Sequence, residues 1–104
     1  MGASPSFQIS FRMETTMAAS QLLAVGNTAA NSPDFTVGQG ESVTICLKGG
    51  DGTGEASILL RDDVGDYVYL QSIGRLGVKA ICITAPGTYR VSRMAGSNCG
   101  VFRA

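Results

Sequence analysis

Apolar and polar residues alternate along most of the chain after residue 34, with the two-residue period of β-strands. Val43, Ile45 and Leu47, for example, share one face of a predicted strand. The same pattern, interrupted by turns rich in glycine and aspartate, predicts further strands at residues 35–37, 55–61, 66–71 and 76–84. No ten-residue helical period appears after residue 35, which disfavours a doubly wound α/β fold.

The C-terminal part of the chain carries a strong turn signal. Two alternating apolar runs, residues 81–83 and 89–91, flank Pro86 and Gly87. Proline presets φ for the second position of a tight turn, and glycine supplies the positive φ of the third position of a type II turn. We therefore predict a β-hairpin in which these two runs pair with each other.

The first third of the chain has a weaker pattern, in which only Phe7, Ile9 and Phe11 alternate cleanly. Residues 17–25 could form a short helix by propensity, but they lack a continuous apolar stripe, so an extended arm or strand is favoured. We predict an N-terminal arm with one early strand at residues 1–34 and a β-sandwich domain at residues 35–104. The fold class is all-β: an antiparallel sandwich or small barrel of about seven or eight strands with an extended N-terminal arm.

Charge is distributed unevenly although the net charge is zero. All eight acidic residues and three basic ones precede Tyr67, and the other five basic residues follow it. Without a basic excess, nucleic-acid binding is not expected. Pairing of the two halves across strands of one sheet would explain the asymmetry, and contact between an acidic edge and a basic edge of two subunits is the alternative.

The inventory of reactive residues is sparse. The chain has no histidine, and Cys46, Cys82 and Cys99 lack the spacing of a zinc site, so we expect free thiols in a reducing cytoplasm and no metal. Without histidine there is no Ser-His or Cys-His pair, so we expect no enzyme and no cofactor. A nucleophilic Cys99 is the alternative that thiol labelling would test. No run of residues has the length of a membrane span, so no membrane partner is expected.

Two loops are candidate ligand sites by composition. Residues 49–54 are rich in glycine but lack the Gly-Lys-Ser/Thr ending of a phosphate-binding loop, and a mobile hairpin loop is favoured. Asp62, Asp63 and Asp66 are too few to supply the six to eight oxygen ligands of calcium, so a solvated turn is predicted there.

Tyr67 and Tyr69 lie two residues apart and therefore share one face of a predicted strand. Tyrosine buries a large ring while keeping its hydroxyl hydrated, which suits both a core edge and a protein interface. The pattern leaves open whether the pair belongs to the core or to a contact surface.

Three segments together resemble small β-sandwich virion proteins of tailed bacteriophages, such as capsid decoration or cement proteins and fibre-associated modules. These are residues 40–45 (GESVTI), 57–67 (SILLRDDVGDY) and 83–91 (ITAPGTYRV). The resemblance covers roughly residues 35–102, and its sharpest part is residues 85–91. The family's aromatic residue in the strand after the turn at residues 62–65 is a tyrosine here, Tyr67 or Tyr69.

The resemblance implies a virion protein, made in the host bacterial cytoplasm, that binds the major capsid protein and stabilises the shell. A homotrimer is the favoured oligomer, with the N-terminal arm lying across neighbouring subunits. The alternative is a tail or head fibre or adaptor module that recognises a host surface or a tail partner. The candidate interface residues are aromatic and basic side chains: Phe7, Phe11, Tyr67, Tyr69, Arg90 and Arg93.

Overall fold

The computed structural model describes residues 19–50, 53–74 and 77–104. These residues form nine β-strands and no helix, which confirms the all-β prediction. None of them belongs to a helix long and apolar enough to cross a membrane. The strands are β1 (Ser20–Gly26), β2 (Ala30–Asn31), β3 (Phe35–Val37), β4 (Val43–Lys48), β5 (Glu55–Arg61), β6 (Tyr67–Gly74), β7 (Ala80–Ile83), β8 (Gly87–Arg93) and β9 (Cys99–Arg103).

Two antiparallel sheets stack as a sandwich. Sheet I has the strand order β1-β9-β4-β7. Sheet II has the order β2-β8-β5-β6, and β3 also pairs with β8, beside β2. The predicted sandwich is confirmed, and the count is nine because β2 and β3 are short strands that share one edge of β8.

The core lies between the inner faces of the two sheets. Ile45 and Val101 from sheet I, and Ile58 and Val91 from sheet II, are almost completely buried. The predicted alternation of β4 is confirmed for Val43 and Ile45, which are buried and separated by the partly exposed Thr44. Burying a branched aliphatic side chain contributes about 1.5–3 kcal/mol, so these inward-facing rows are the main source of stability.

The predicted hairpin of residues 81–83 and 89–91 is wrong. Strand β7 pairs with β4 in sheet I, whereas β8 pairs with β5 in sheet II, so the turn at Pro86 carries the chain from one sheet to the other. The buried Tyr89 holds this crossing, because its hydroxyl donates a 2.7 Å hydrogen bond to the carbonyl oxygen of Ala85. Turn residues set the local backbone geometry, and they do not select the strands with which the two arms pair.

The turn predicted at residues 62–65 does form a hairpin, between β5 and β6. Asp62 Oδ1 accepts hydrogen bonds from the backbone N–H groups of Val64 (3.0 Å) and Asp66 (2.8 Å). Gly65 has a φ of 92°, a value that favours glycine. The aspartate is therefore a turn-forming residue, as the sequence predicts.

The loop between β4 and β5 also connects the two sheets and is therefore not a hairpin loop. Two of its glycines, Gly50 and Gly54, pack closely on Asn98 and Cys99, where the chain enters β9. A Cβ atom on Gly50 would lie 1.9 Å from the carbonyl oxygen of Asn98, and one on Gly54 would lie 2.4 Å from the Cβ of Cys99. Glycine is required here by close approach as well as by the positive φ of Gly50, which is 79°.

The sandwich begins before the predicted domain boundary at residue 35. Strand β1 pairs with β9 in sheet I, and its Leu23 is part of the core. Strand β2 pairs with β8 in sheet II. The extended conformation favoured for residues 17–25 over a helix is confirmed for β1, whereas the early strand predicted at Phe7, Ile9 and Phe11 lies outside the described residues.

Arg93, the last residue of β8, is buried between the sheets and only 5% exposed. Its Nε donates to the carbonyl oxygen of Thr28 (2.8 Å), and its Nη1 donates to those of Ala24 (2.8 Å) and Cys99 (2.5 Å). The guanidinium therefore joins sheet II to β1, to the β1–β2 loop and to β9. Gly26 leaves room for it, since a Cβ there would lie 3.3 Å from Nη2.

We predict that Arg93→Lys lowers the free energy of unfolding by about 2–4 kcal/mol, because an ammonium group cannot reach all three carbonyl oxygens in the planar geometry of a guanidinium. Urea denaturation followed by circular dichroism measures this. Arg61→Lys is the matched control, since Arg61 forms a surface ion pair and should change stability by less than about 1 kcal/mol. Equal effects of the two substitutions would contradict this role of Arg93.

Candidate functional site

The outer face of sheet II, which points away from the core, carries a cluster of four polar side chains. Asp34 precedes β3, Arg90 lies in β8, Arg61 ends β5 and Tyr67 begins β6. Because β3 and β6 lie on opposite sides of β8 and β5, the side chain of Tyr67 extends across β5 to reach Asp34. We call these four residues the outer-face cluster.

Asp34 is positioned by an interruption between β2 and β3. Pro33 has no N–H to donate, and the neighbouring Ser32 replaces a regular strand pairing with bonds of its own. Its hydroxyl oxygen accepts the N–H of Val91 (2.9 Å), and its own N–H donates to the carbonyl oxygen of Val91 (2.8 Å). This short connection places the carboxylate of Asp34 beside Arg90.

The contacts within the outer-face cluster are short and mutually consistent. The hydroxyl of Tyr67 donates to the carboxylate of Asp34, at 2.9 and 2.7 Å from its two oxygens. Arg90 donates from Nε to Asp34 Oδ1 (3.3 Å) and from Nη2 to the hydroxyl oxygen of Tyr67 (3.0 Å). Its guanidinium carbon also lies 3.8 Å from the centre of the Tyr67 ring, and Arg61 lies 3.9 Å from Asp34.

These contacts shift two pKa values in opposite directions. The pKa of Asp34 is lowered, mainly because Tyr67 donates a hydrogen bond to the carboxylate, with a further contribution from the positive charge of Arg90. The pKa of Tyr67 is raised, mainly because its hydroxyl donates a hydrogen bond to the carboxylate of Asp34. At neutral pH the pair is therefore a carboxylate and a neutral phenol, and Asp34 is a poor base.

The pairing of Asp34 with Arg90 brings together the acidic and basic halves of the sequence. Asp34 belongs to the segment that contains every acidic residue, and Arg90 belongs to the wholly basic segment after Tyr67. Their contact lies within one sheet of one chain. Here an acidic residue of the first part of the sequence forms an ion pair with a basic residue of the last part, across neighbouring strands.

Tyr69 lies beside the cluster on the same outer face and is 59% exposed. The reason that both tyrosines face outward is a bulge in β6. Gln71 pairs with Ile58 and Tyr69 with Leu59, so Leu70 has no partner in β5 and the strand reverses its facing at that point. Without the bulge, the tyrosines would share the inward face of the buried Ile73.

The predicted interface residues therefore separate into three groups. Tyr67 and Arg90 meet in the outer-face cluster, with Tyr69 beside them. Arg93 is buried and bound to carbonyl oxygens of its own chain, so it is not a surface residue. The remaining two, Phe7 and Phe11, lie outside the described residues.

Sequence reasoning missed Asp34, which was placed at the end of the predicted arm, although its acidic charge opposite a basic segment was a signal. The buried position of Arg93 also had a signal, because Arg93 lies on the same face of its strand as Tyr89 and Val91. The contact of Asp34 and the burial of Arg93 both depend on how the strands pair, because alternation along a strand does not show which of its two faces is covered.

Other chemistry at the described residues is limited. No three histidine, cysteine, aspartate or glutamate side chains among residues 19–50, 53–74 and 77–104 are placed to hold a metal ion. Cys99 is buried, and burial raises the pKa of its thiol despite the nearby charge of Arg93. The outer face can contact a partner through the fixed pair of Tyr67 and Arg90 and through the exposed ring of Tyr69.

No known protein family matches the sequence. No curated protein matches it either. Among solved structures, the SPBc2 prophage-derived protein YomS matches with a TM-score of 0.58 and 11% sequence identity. The match covers 83% of this chain and 88% of that one. At this level of identity the comparison shows a shared fold, so this sandwich architecture also occurs in a prophage-derived protein.

We predict that Tyr67 ionises at higher pH than an ordinary tyrosine, whose pKa is about 10, because its hydroxyl donates a hydrogen bond to Asp34 that stabilises the neutral phenol. Ultraviolet absorbance follows tyrosine ionisation, and subtracting the titration curve of Tyr67→Phe from that of the wild type gives the titration curve of Tyr67. The stabilisation from this raised pKa is present below the ordinary tyrosine pKa and is lost as pH rises through the folded value. The lowered pKa of Asp34 acts oppositely, and its stabilisation is lost as pH falls through the folded value. A difference curve centred at or below pH 10 would contradict the hydrogen-bonded arrangement.

We predict that the three thiols react in the order of their exposure. Cys82 is exposed, Cys46 is half-buried and Cys99 is buried with a raised pKa, so a disulfide reagent at neutral pH should modify Cys82 first and Cys99 last. Mass spectrometry of digested, partly labelled protein gives the three rates. Cys82→Ser is the control and should remove the fast phase alone. Rapid labelling of Cys99 in the folded protein would contradict its buried position and favour the nucleophile hypothesis.

Proposed function

We propose that the chain is a bacteriophage virion structural protein that decorates the capsid by binding the major capsid protein and thereby stabilises the shell. The observation that carries the proposal is the outer face of sheet II, where the exposed ring of Tyr69 adjoins the fixed pair of Tyr67 and Arg90. Tyrosine and arginine are the side chains that most often dominate binding energy at protein interfaces. The protein has no proposed catalytic role.

The fold supports an origin in a phage. Its architecture is shared with a prophage-derived protein, and the sequence resembles small virion sandwiches at residues 40–45, 57–67 and 83–91. Residues 83–91 include the crossing between the sheets and the buried Tyr89 and Val91. The resemblance therefore supports the sandwich fold. The proposed docking surface depends instead on the positions of side chains on the outer face of sheet II.

The cluster suits docking because its side chains are already held in place. Arg90 and Tyr67 are fixed by Asp34, so binding would cost less side-chain entropy than the ordering of free side chains. A contact patch of this size gives weak affinity for one copy. Many copies on a symmetric shell would strengthen the total attachment, particularly if copies are linked in trimers.

The proposed localisation is the virion, and the proposed oligomer is a homotrimer whose N-terminal segments contact neighbouring subunits. Arg93, one of the residues first assigned to the interface, has no part in this proposal because it is buried. The interface that remains consists of Tyr67, Tyr69 and Arg90, with Phe7 and Phe11 assigned to contacts between copies.

A fibre or adaptor module that binds host-surface glycans is the alternative. Glycan recognition of this kind uses open aromatic faces, and Arg90 covers one face of the Tyr67 ring at 3.8 Å. Tyr69 is the more accessible ring of the two. The covered ring favours a protein partner, and glycan binding is tested with the same variants.

We predict that Tyr69→Ser weakens binding to capsids that lack this protein by about tenfold, because an exposed aromatic anchor is removed. The capsids come from a deletion mutant of the phage or prophage that encodes the chain, and co-sedimentation at several protein concentrations measures binding. Met94→Ser is the matched control, since Met94 is 75% exposed and lies in the β8–β9 turn. It should bind as the wild type does.

Failure of the wild-type protein to bind such capsids would overturn the capsid proposal. Binding of both variants with equal affinity would instead remove the outer face from the contact. Glycan-array binding that Tyr69→Ser abolishes, without capsid binding, would establish the fibre-module alternative.

A further inference from the structure

We infer that the open side of the sandwich, between β6 and β7, is a strand-binding site for the residue 7–11 segment of a neighbouring copy of this chain. This surface is separate from the outer-face cluster proposed to contact the shell. It consists of the free edge of β6 and the cleft between the two sheets beside it.

Strand β6 is the longest strand at a sheet edge among the described residues, and its one irregularity of register is the bulge at Leu70. Strand β1 has two irregularities in its register, β2 and β3 are separated by Pro33, and β7 has four residues. Strand β6 has eight residues without charge or proline. Within the described residues it pairs with no strand except β5, so its outer edge lacks a strand partner apart from Gly74, which bonds Val78 and Gly77 through its backbone. Such an edge is a ready template for another strand.

The cleft beside β6 is largely apolar. It has a volume of about 270 Å³ and is lined from sheet II by Ile58 and Leu70 and from sheet I by Ile81 and Ile83. Leu70 is the bulged residue and is 47% exposed. Val68, two residues earlier, is 49% exposed and opposes Leu60, which packs against the core. A strand added to β6 would place one row of side chains over this cleft.

The sequence of the first third contains a segment with matching character. Phe7, Ile9 and Phe11 alternate with Gln8 and Ser10, so a strand there has one apolar face and one polar face. Paired with β6, its apolar face would cover the cleft and its polar face would meet solvent. A five-residue strand fits the length of β6 on this edge.

The position of β1 favours a neighbouring copy as the source of the segment. Ser20 starts β1, at the edge of sheet I opposite to β7. To reach its own β6, the chain would have to cross about 14 Å of sheet I and about 10 Å between the sheets, and clear the side chains on the way. The nine steps from Phe11 to Ser20 span at most about 30 Å when fully extended, so this path of about 24 Å would require a nearly extended chain with about 6 Å left to clear the side chains. A neighbouring copy imposes no such path.

The exchange is directional, because the segment of one copy binds the edge of the next. Contacts of this kind form rings when the rotation between copies closes, and a three-membered ring would match the homotrimer proposed above. A strand from a neighbouring copy would also cover the uncharged edge of β6 and so prevent uncontrolled aggregation through it.

Complementation between two full-length variants tests the exchange. Leu70→Lys places a charge at the cleft without disturbing a β5 pair, and a Phe7→Ser, Phe11→Ser double variant removes the apolar row of the segment. We expect light scattering after size-exclusion chromatography to show an oligomer for the wild type and a single chain of 10.8 kDa for each variant. An equimolar mixture should give a complex of twice that mass, because one intact edge and one intact segment remain. Met94→Lys is the control and should assemble as the wild type does.

Hydrogen–deuterium exchange of the wild type provides a second measurement that does not depend on variants. The amides of residues 67–73 that do not already bond β5 should exchange at least about tenfold more slowly in the oligomer than after dilution to single chains. A monomeric wild type with fast exchange at β6 would overturn the inference. A monomer with slow exchange would show that the segment folds onto its own chain, which also overturns exchange between copies, as would an oligomer that both variants leave intact.

The capsid assay separates this inference from the proposed function. The Phe7→Ser, Phe11→Ser variant retains Tyr67, Tyr69 and Arg90, so a single chain of it should still bind shells, with weaker overall attachment. Loss of self-assembly with retained shell binding supports both proposals. Normal assembly without shell binding would sustain the strand exchange and overturn the capsid role.

Discussion

The sandwich depends on a buried guanidinium that joins its two sheets. Arg93 enters from β8 in sheet II and donates hydrogen bonds to carbonyl oxygens of β1, of the β1–β2 loop and of β9. A buried charge without these partners would be strongly destabilising, and the carbonyl groups would in turn lose their donors. Folding of β1 onto sheet I and burial of Arg93 are therefore mutually dependent. This dependence explains why β1 is part of the domain and cannot be a separate arm.

A second constraint acts at the other end of β8. Tyr89 packs against Phe35, with their ring centres 5.9 Å apart, and its hydroxyl binds the backbone of Ala85 where the chain changes sheets. Thus the two ends of the inward row of β8, Tyr89 and Arg93, both use polar atoms to hold chain segments outside their own strand. Val91 between them is completely buried. One strand therefore sets the geometry of both the sheet crossing and the N-terminal strand.

The sandwich exposes two different surfaces. The outer face of sheet II presents a hydrogen-bonded cluster of Asp34, Tyr67 and Arg90, whose side chains are fixed before any partner arrives. The edge of β6 has no strand partner beyond β5 among the described residues, and it carries the half-exposed side chains of Val68 and Leu70. The bulge at Leu70 creates both, because it turns the tyrosines outward and directs Leu70 to the cleft. A protein with two such surfaces is suited to contact a shell and its own copies at once.

The sequence by itself determined the β-class, the position of most strands and the turn at residues 62–65. These are local properties, because alternation with a period of two and turn-forming residues act within a few positions. The tertiary structure decided which strands pair, and that overturned the hairpin at Pro86 and placed β1 within the sandwich. It also buried Arg93, brought Asp34 into the outer-face cluster and turned Tyr67 and Tyr69 outward. Strand pairing joins residues far apart in the chain, and a single bulge reverses which face is covered, so neither can be read from local pattern.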